Sequence, residues 1–156
     1  MKELALSLWR VLNFSKKLQL RLMRIVNDEF LVGVTGIIFN NKNEVLLLKH
    51  RYRAVQWSLP GGYLKAKEHP SEGLEREIDE ETGFVVSADK LLTVRTDRQT
   101  GRLDMSYLGK FIGGEFRKSD EVVDYRFSTF EDLPDILTDQ VLLIKEALDR
   151  RLKANR

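Results

Sequence analysis

Three glutamates, Glu77, Glu80 and Glu81, lie close together in the chain. On a helix advancing about 100° per residue, they share an arc of about 100°. Like charges crowded on one face destabilise a bare helix, and a bound cation removes that penalty. Hard divalent cations that prefer oxygen ligands, Mg²⁺ or Mn²⁺, suit such a face. Upstream, Gly61 and Gly62 follow Leu59-Pro60, and glycines let backbone atoms approach a ligand closely. Further upstream, Lys49-His50-Arg51-Tyr52-Arg53 is a short basic patch. Such patches are usually solvated strand ends, but Lys and Arg also suit phosphoryl oxygens. Lys49 and Arg51 are candidate phosphate contacts on that ground. Among the aromatics, Tyr52, Trp57, Tyr63 and Tyr107 could stack on a base, although aromatic residues more often serve cores.

The elements that must position these residues are legible from periodicity. Pro70 suits a first helical position and Gly83 a C-terminal cap, so a helix is predicted over Pro70–Thr82. Leu74 and Ile78 form its buried stripe beside the acidic face. Phe30–Phe39 and Glu44–Lys49 read as a hairpin about the Asn40-Asn41-Lys42-Asn43 turn. Trp57–Gly62 reads as an apolar strand end running into a turn. Phe84–Ser87, Lys90–Thr96, Leu103–Phe111 and Tyr125–Ser128 are further strand candidates, with turns at Thr100-Gly101 and Gly113-Gly114. Asp139–Leu152 reads as a helix with Val141, Leu142, Ile144, Lys145 and Leu148 in amphipathic register. This order predicts a mixed sheet with a helix on each face, an α/β or α+β sandwich. Residues 1–27 read as a separate lead segment of one or two basic amphipathic helices, and residues 28–156 as the domain. The lead segment packs on the domain or on a dimer partner, or lies on a membrane or nucleic acid.

Composition narrows the function classes. A chain of 156 residues that is 42% hydrophobic and 32% charged has enough apolar content for one folded domain. A net charge of +2 favours no particular partner. The absence of cysteine removes disulfides, thiolate catalysis and Cys-ligated zinc, and fits a cytoplasmic location. His50 and His69 are the only histidines, which makes a Ser-His-Asp triad improbable. No apolar run approaches the length needed to span a bilayer.

The stretch Gly62 to Phe84 resembles the signature box of the Nudix hydrolases. That box is a Gly, a later Glu, then Arg-Glu, an apolar residue, Glu-Glu, Gly and an apolar residue at fixed spacing. Here Gly62, Glu68, Arg76, Glu77, Ile78, Glu80, Glu81, Gly83 and Phe84 fill it without departure. A run such as Arg76–Glu81 taken alone is usually a salt-bridged surface helix. The Leu59-Pro60-Gly61-Gly62 turn and the in-register Glu68 set this one apart. The resemblance extends through the order of flanking strands to about residues 30–150. It implies a Nudix-like α/β/α sandwich that hydrolyses a nucleoside diphosphate linked to another moiety, with a small-molecule nucleotide as substrate.

Metal-activated water attacking phosphorus agrees with the residues present. By the resemblance, Glu77, Glu80 and Glu81 are metal ligands, with Gly61 adding its carbonyl. Arg76 orients a glutamate, and Glu68 is structural. An acid beyond the box completes the site: Glu121 is the candidate and Glu115 the runner-up. The general base stays open between Glu77 and Glu121. An ADP-ribose-like branch carries a proline downstream of the box, and the stretch near Gln99 has none, which favours a smaller nucleotide. The other reading is a nucleotide-sensing module that binds without cleaving. The expected assembly is a monomer or homodimer, with no specific nucleic-acid partner.

Overall fold

A computed structural model of the protein describes residues 30–98 and 100–154, with Lys16, Leu18, Leu20, Arg21 and Ile25. The chain divides into two units, Met1–Phe30 and Leu31–Arg156. In the first, Lys16, Leu18, Leu20, Arg21 and Ile25 are helical and exposed. The rest of the predicted lead helices lies outside the described residues.

The second unit opens with strands β1 (Leu31–Phe39) and β2 (Val45–His50). Asn40 builds the turn between them. Its Oδ1 accepts from the backbone N–H of Lys42 at 2.9 Å and of Glu44 at 3.0 Å. Asn43 takes the left-handed conformation, φ 62°, which Asn tolerates better than most residues. There follow β3 (Trp57–Ser58), β4 (Gly61–Tyr63), helix α1 (Pro70–Thr82), β5 (Phe84–Asp97), β6 (Arg102–Gly114), β7 (Val122–Ser128) and helix α2 (Thr138–Ala154). The sheet runs β3-β2-β1-β6-β5, with β4 also on β1 and β7 also on β2. The β1–β6 pair is parallel and every other pair antiparallel, so the sheet is mixed.

Both faces of the sheet are covered, which is why β1 and β2 read as unbroken apolar runs. Period-two alternation divides them. Val34, Ile38, Leu46 and Leu48 pack in one core with Leu74 and Ile78 of α1. Ile37, Phe39, Val45 and Leu47 pack in the other with Leu143, Ile144 and Ala147 of α2. Helix α1 begins and ends at the residues the sequence predicts. His69 is its N-cap, Glu72 Oε2 accepts from His69 N–H at 3.1 Å, and Pro70 opens the helix. Gly83 closes it in the left-handed conformation, φ 74°, donating to the Asp79 carbonyl at 2.8 Å.

Four sequence expectations change. The two strand candidates after α1 are one strand, β5, because its register shifts around Ser87–Lys90 absorb the polar break. The Ala88 N–H freed there donates to Glu75 Oε1 of α1 at 2.8 Å. Gly113-Gly114 is no turn; both residues pair with β5, opposite Val85 and Phe84. On helix α2, Val141, Ile144 and Leu148 pack on the core as predicted, but Leu142 is 55% exposed and Lys145 is exposed, while Leu143 and Ala147 are buried in their place. The Trp57–Gly62 stretch, read as a strand end and turn, holds two short strands, β3 and β4.

Candidate active site

Strand β4 lies antiparallel on β1, with Thr35 opposite Gly61 and Val34 opposite Gly62. Glycine is required at both positions. A Cβ on Gly61 would overlap the Val34 carbonyl, and one on Gly62 would overlap the carboxylate of Glu77. The glycine turn therefore brings the start of β4 directly against the acidic face of α1.

Arg76 organises that face. Its Nε donates to Glu68 Oε2 at 2.9 Å and its Nη2 to Glu68 Oε1 at 2.8 Å, a two-pronged grip. Nη1 donates to Glu77 Oε1 at 2.6 Å and to Glu80 Oε2 at 3.1 Å. Nη2 also reaches the Tyr63 carbonyl at 3.3 Å, tying the helix to β4. The guanidinium holds the Glu68 carboxyl down at about 2, with the Lys65 N–H adding to the effect. Glu68 thus anchors the loop and leaves Arg76 to aim Glu77. Glu80 is more exposed. Lys65 Nζ, 3.1 Å away, is the main cause of its lowered carboxyl pKa.

Glu81 is held differently. Its Oε2 is buried without a hydrogen-bond partner. Burial pushes its carboxyl up to about 7, and the charges of Glu121 and Glu77 push the same way. The charge of Arg53 opposes them. A carboxylate that is desolvated, unpaired and crowded by like charges lacks a positive partner. Among the described residues, no three acidic or imidazole groups stand together as a ready-made cation cage. The orphaned Glu81 oxygen, with Glu77 and Glu121 near enough to raise its pKa, still fits a divalent cation with oxygen ligands.

A cavity of about 300 Å³ opens beside the glycine turn. Gly61, Gly62, Tyr63, Arg53, Asp104 and Gln140 are among its lining residues. Helix α2 is tied to the turn there: Leu59 N–H donates to Gln140 Oε1 at 2.8 Å.

The structure brings Glu77, Glu81 and Glu121 into one electrostatic group, puts Gly61 and Tyr63 on the cavity, and leaves Glu80 at the margin. Lys49 and Arg51 do not line the cavity. Lys49 Nζ stands 5.8 Å from the centre of the Trp57 ring, and Arg51 lies over Tyr52 at 5.9 Å. The residue of that basic patch that reaches the cavity is Arg53, which donates to Ser58 Oγ at 3.0 Å. Tyr107 is 6% exposed in the α1-side core, so it is packing. Glu115 places its carbonyl by Gly83, at the cap of α1. Arg53, Arg95, Arg102, Asp104 and Gln140 are cavity residues that motif spacing does not reveal. Only strand register and the return of α2 assemble them.

Comparison with known proteins agrees with this geometry. The NUDIX domain family matches residues 29–151. The chain is 31% identical over 121 residues to an ADP-ribose pyrophosphatase of Methanocaldococcus jannaschii, covering 74% of this chain and 71% of that one. It is 29% identical over 119 residues to a MutT-like protein of Streptomyces ambofaciens, covering 76% and 77%. Its fold is shared with the crystal structure of a UDP-X diphosphatase at a TM-score of 0.70 and 22% identity, over 96% of this chain and 81% of that one. With the box of α1 complete, the chain belongs to the Nudix family and is a hydrolase of pyrophosphate bonds.

Proposed function

We propose that the protein is a Mg²⁺-dependent pyrophosphohydrolase of nucleoside diphosphates linked to another moiety, a third phosphate or a sugar among them. The observation that carries this reading is the unpartnered, buried Glu81 oxygen, its carboxyl raised by the charges of Glu77 and Glu121, with Glu77 packed against Gly62, which together with Arg53 lines the cavity. Members of this family are generally divalent-metal dependent. Glu77, Glu81 and the Gly61 carbonyl would hold the cation, Mg²⁺ or Mn²⁺, with Glu80 at the margin. When bound, the ion neutralises charge on phosphoryl oxygens and acidifies a water.

The chain's own residues supply the rest. Arg76, held by Glu68, keeps the Glu77 carboxylate aimed across Gly62. Arg53 meets the phosphate group on the cavity side and balances negative charge that grows during attack. A carboxylate, Glu77 or Glu121, takes the proton of the attacking water. The cavity takes the nucleoside half. Two of the relatives named above act on ADP-ribose and on UDP derivatives by their names, and a nucleoside diphosphate is the shared half. Without cysteine, the protein suits a cytoplasmic setting.

The test is a panel of nucleoside triphosphates, dinucleoside polyphosphates and nucleotide sugars, with Mg²⁺ and with EDTA. Turnover of some members, abolished by EDTA and restored by Mg²⁺, is expected. No turnover, or turnover indifferent to EDTA, overturns the reading.

A further inference from the structure

Strand register builds a row of side chains across the cavity. Tyr63 on β4, Gly33 on β1, Asp104 on β6 and Arg95 on β5 are successive register partners and so share a face. The next row on that face is Gly61, Thr35 and Ser106, all small. These small residues leave room, and Tyr63 and Asp104 rise on either side of the bare backbone of Gly33. A Cβ on Gly33 would come within 2.5 Å of Asp104 Oδ1, so the carboxylate lies over that bare backbone.

Asp104 is held, yet not saturated. Arg102 Nε lies 2.9 Å from each of its oxygens. Asp104, with Tyr63 adding to it, raises the pKa of Arg102, so one guanidinium stands close to both walls. Arg95 faces Asp104 in register, but no ion pair joins them among the described residues. An ionised carboxylate has about four lone-pair positions, and Arg102 covers only those on its own side. The remaining ones look into a cavity whose other wall is an aromatic ring. A carboxylate there repels phosphate, which directs the pyrophosphate toward Arg53 and the nucleoside toward Asp104.

We propose that Asp104 is a specificity-determining residue, accepting hydrogen bonds from a pair of adjacent donors on the nucleoside half of the substrate. The donor pair is either the ring N–H and exocyclic amine of a guanine edge or the vicinal hydroxyls of ribose. The inference rests on the hydrolase reading above and deepens it. A site that hydrogen-bonds such donors discriminates against analogues lacking them, because its acceptor is then left unpaired.

The experiment compares kcat/KM for nucleoside diphosphate sugars sharing one sugar and carrying guanosine, inosine, adenosine or their 2′-deoxy forms. If the base edge is read, guanosine exceeds adenosine by about tenfold or more, and inosine falls between. If the ribose is read, every 2′-deoxy substrate loses about tenfold or more whatever its base. In either case Asp104→Asn flattens the difference, chiefly through KM. Gly33→Ala, which keeps the charge and displaces the carboxylate, weakens the same preference, so the test survives if the first variant fails to fold. Turnover of all six substrates within about threefold, or a preference unchanged in both variants, overturns this inference alone. No turnover of any of them overturns the hydrolase reading instead.

Discussion

Glu81 and Arg76 show how differently two residues of one motif are used. Arg76 has every direction filled, by Glu68, Glu77, Glu80 and the Tyr63 carbonyl. Glu81 has a buried oxygen with nothing. The first is an arrangement of maximum satisfaction and the second stores an unmet charge. Glu81→Gln removes that charge in nearly the same volume. It should lower kcat/KM by about a hundredfold or more while raising the thermal midpoint of the cation-free protein at pH 8. Parallel kinetics and melting measure both, and a lowered midpoint would contradict the reading of Glu81 as an uncompensated charge. Arg76→Lys keeps one cation but loses the planar fork. An ammonium cannot grip Glu68 with two prongs and also aim Glu77, so activity should fall about 10–100-fold. Steady-state kinetics at saturating Mg²⁺ check this, and unchanged activity would show that Glu77 needs no aiming. Glu77, Glu80 and Glu81 were visible in the sequence as a charged arc. The contacts that set them apart were not, because Lys65 and Arg53 arrive from outside the helix.

At the scale of the element, α1 is specified almost entirely by local signals. Pro70, the His69 and Glu72 cap, the Leu74 and Ile78 stripe and Gly83 all agree. Gly83 is the most demanding of them. Its left-handed conformation disfavours any Cβ, and one there would approach the Glu115 carbonyl and Arg117 Nε, each to 2.6 Å. Gly83→Ala should therefore cost more than the about 1–2 kcal/mol of the left-handed penalty alone. Urea unfolding gives the number, and a loss below about 0.5 kcal/mol would mean the cap relaxes freely. Strand β5 is the opposite case. Its polar middle looks like a break between two strands, and only the Glu75 carboxylate reaching Ala88 N–H shows why the chain continues. Helix α2 was legible as a helix, but its buried face is decided by where the β1–β2 hairpin core stands.

For the whole molecule, pH sets stability through a residue that has no part in the proposed chemistry. His50 is 3% exposed, and its Nε2 has no partner. Burial, with Arg53 adding to it, lowers its pKa from 6.5 to about 4. The unfolded chain therefore binds a proton between those values that the folded chain refuses. His50 accordingly costs stability as pH falls from 6.5 to about 4, by up to about 3 kcal/mol, and has no such effect above pH 7. Glu81, raised to about 7, acts with the opposite sign, since the folded state then binds the extra proton. The difference in unfolding free energy between wild type and His50→Gln isolates the histidine. It should move against the wild type on acidification across that window, and a difference independent of pH would overturn the account.

The sequence by itself determined the chemistry. Motif spacing on one helix is a local property, since 3.6 residues per turn gathers Glu77, Glu80 and Glu81 whatever the rest of the chain does. The glycine turn and the caps are likewise local. The tertiary structure alone decided which cation of the basic patch reaches the cavity and what lines it. Arg53 rather than Lys49 or Arg51 reaches the cavity because the chain between β2 and β3 turns one guanidinium inward. Tyr63, Gly33, Asp104 and Arg95 come from four strands, and only hydrogen-bond register sets them side by side. Register is fixed by the burial of both sheet faces, a property no short stretch of the chain contains.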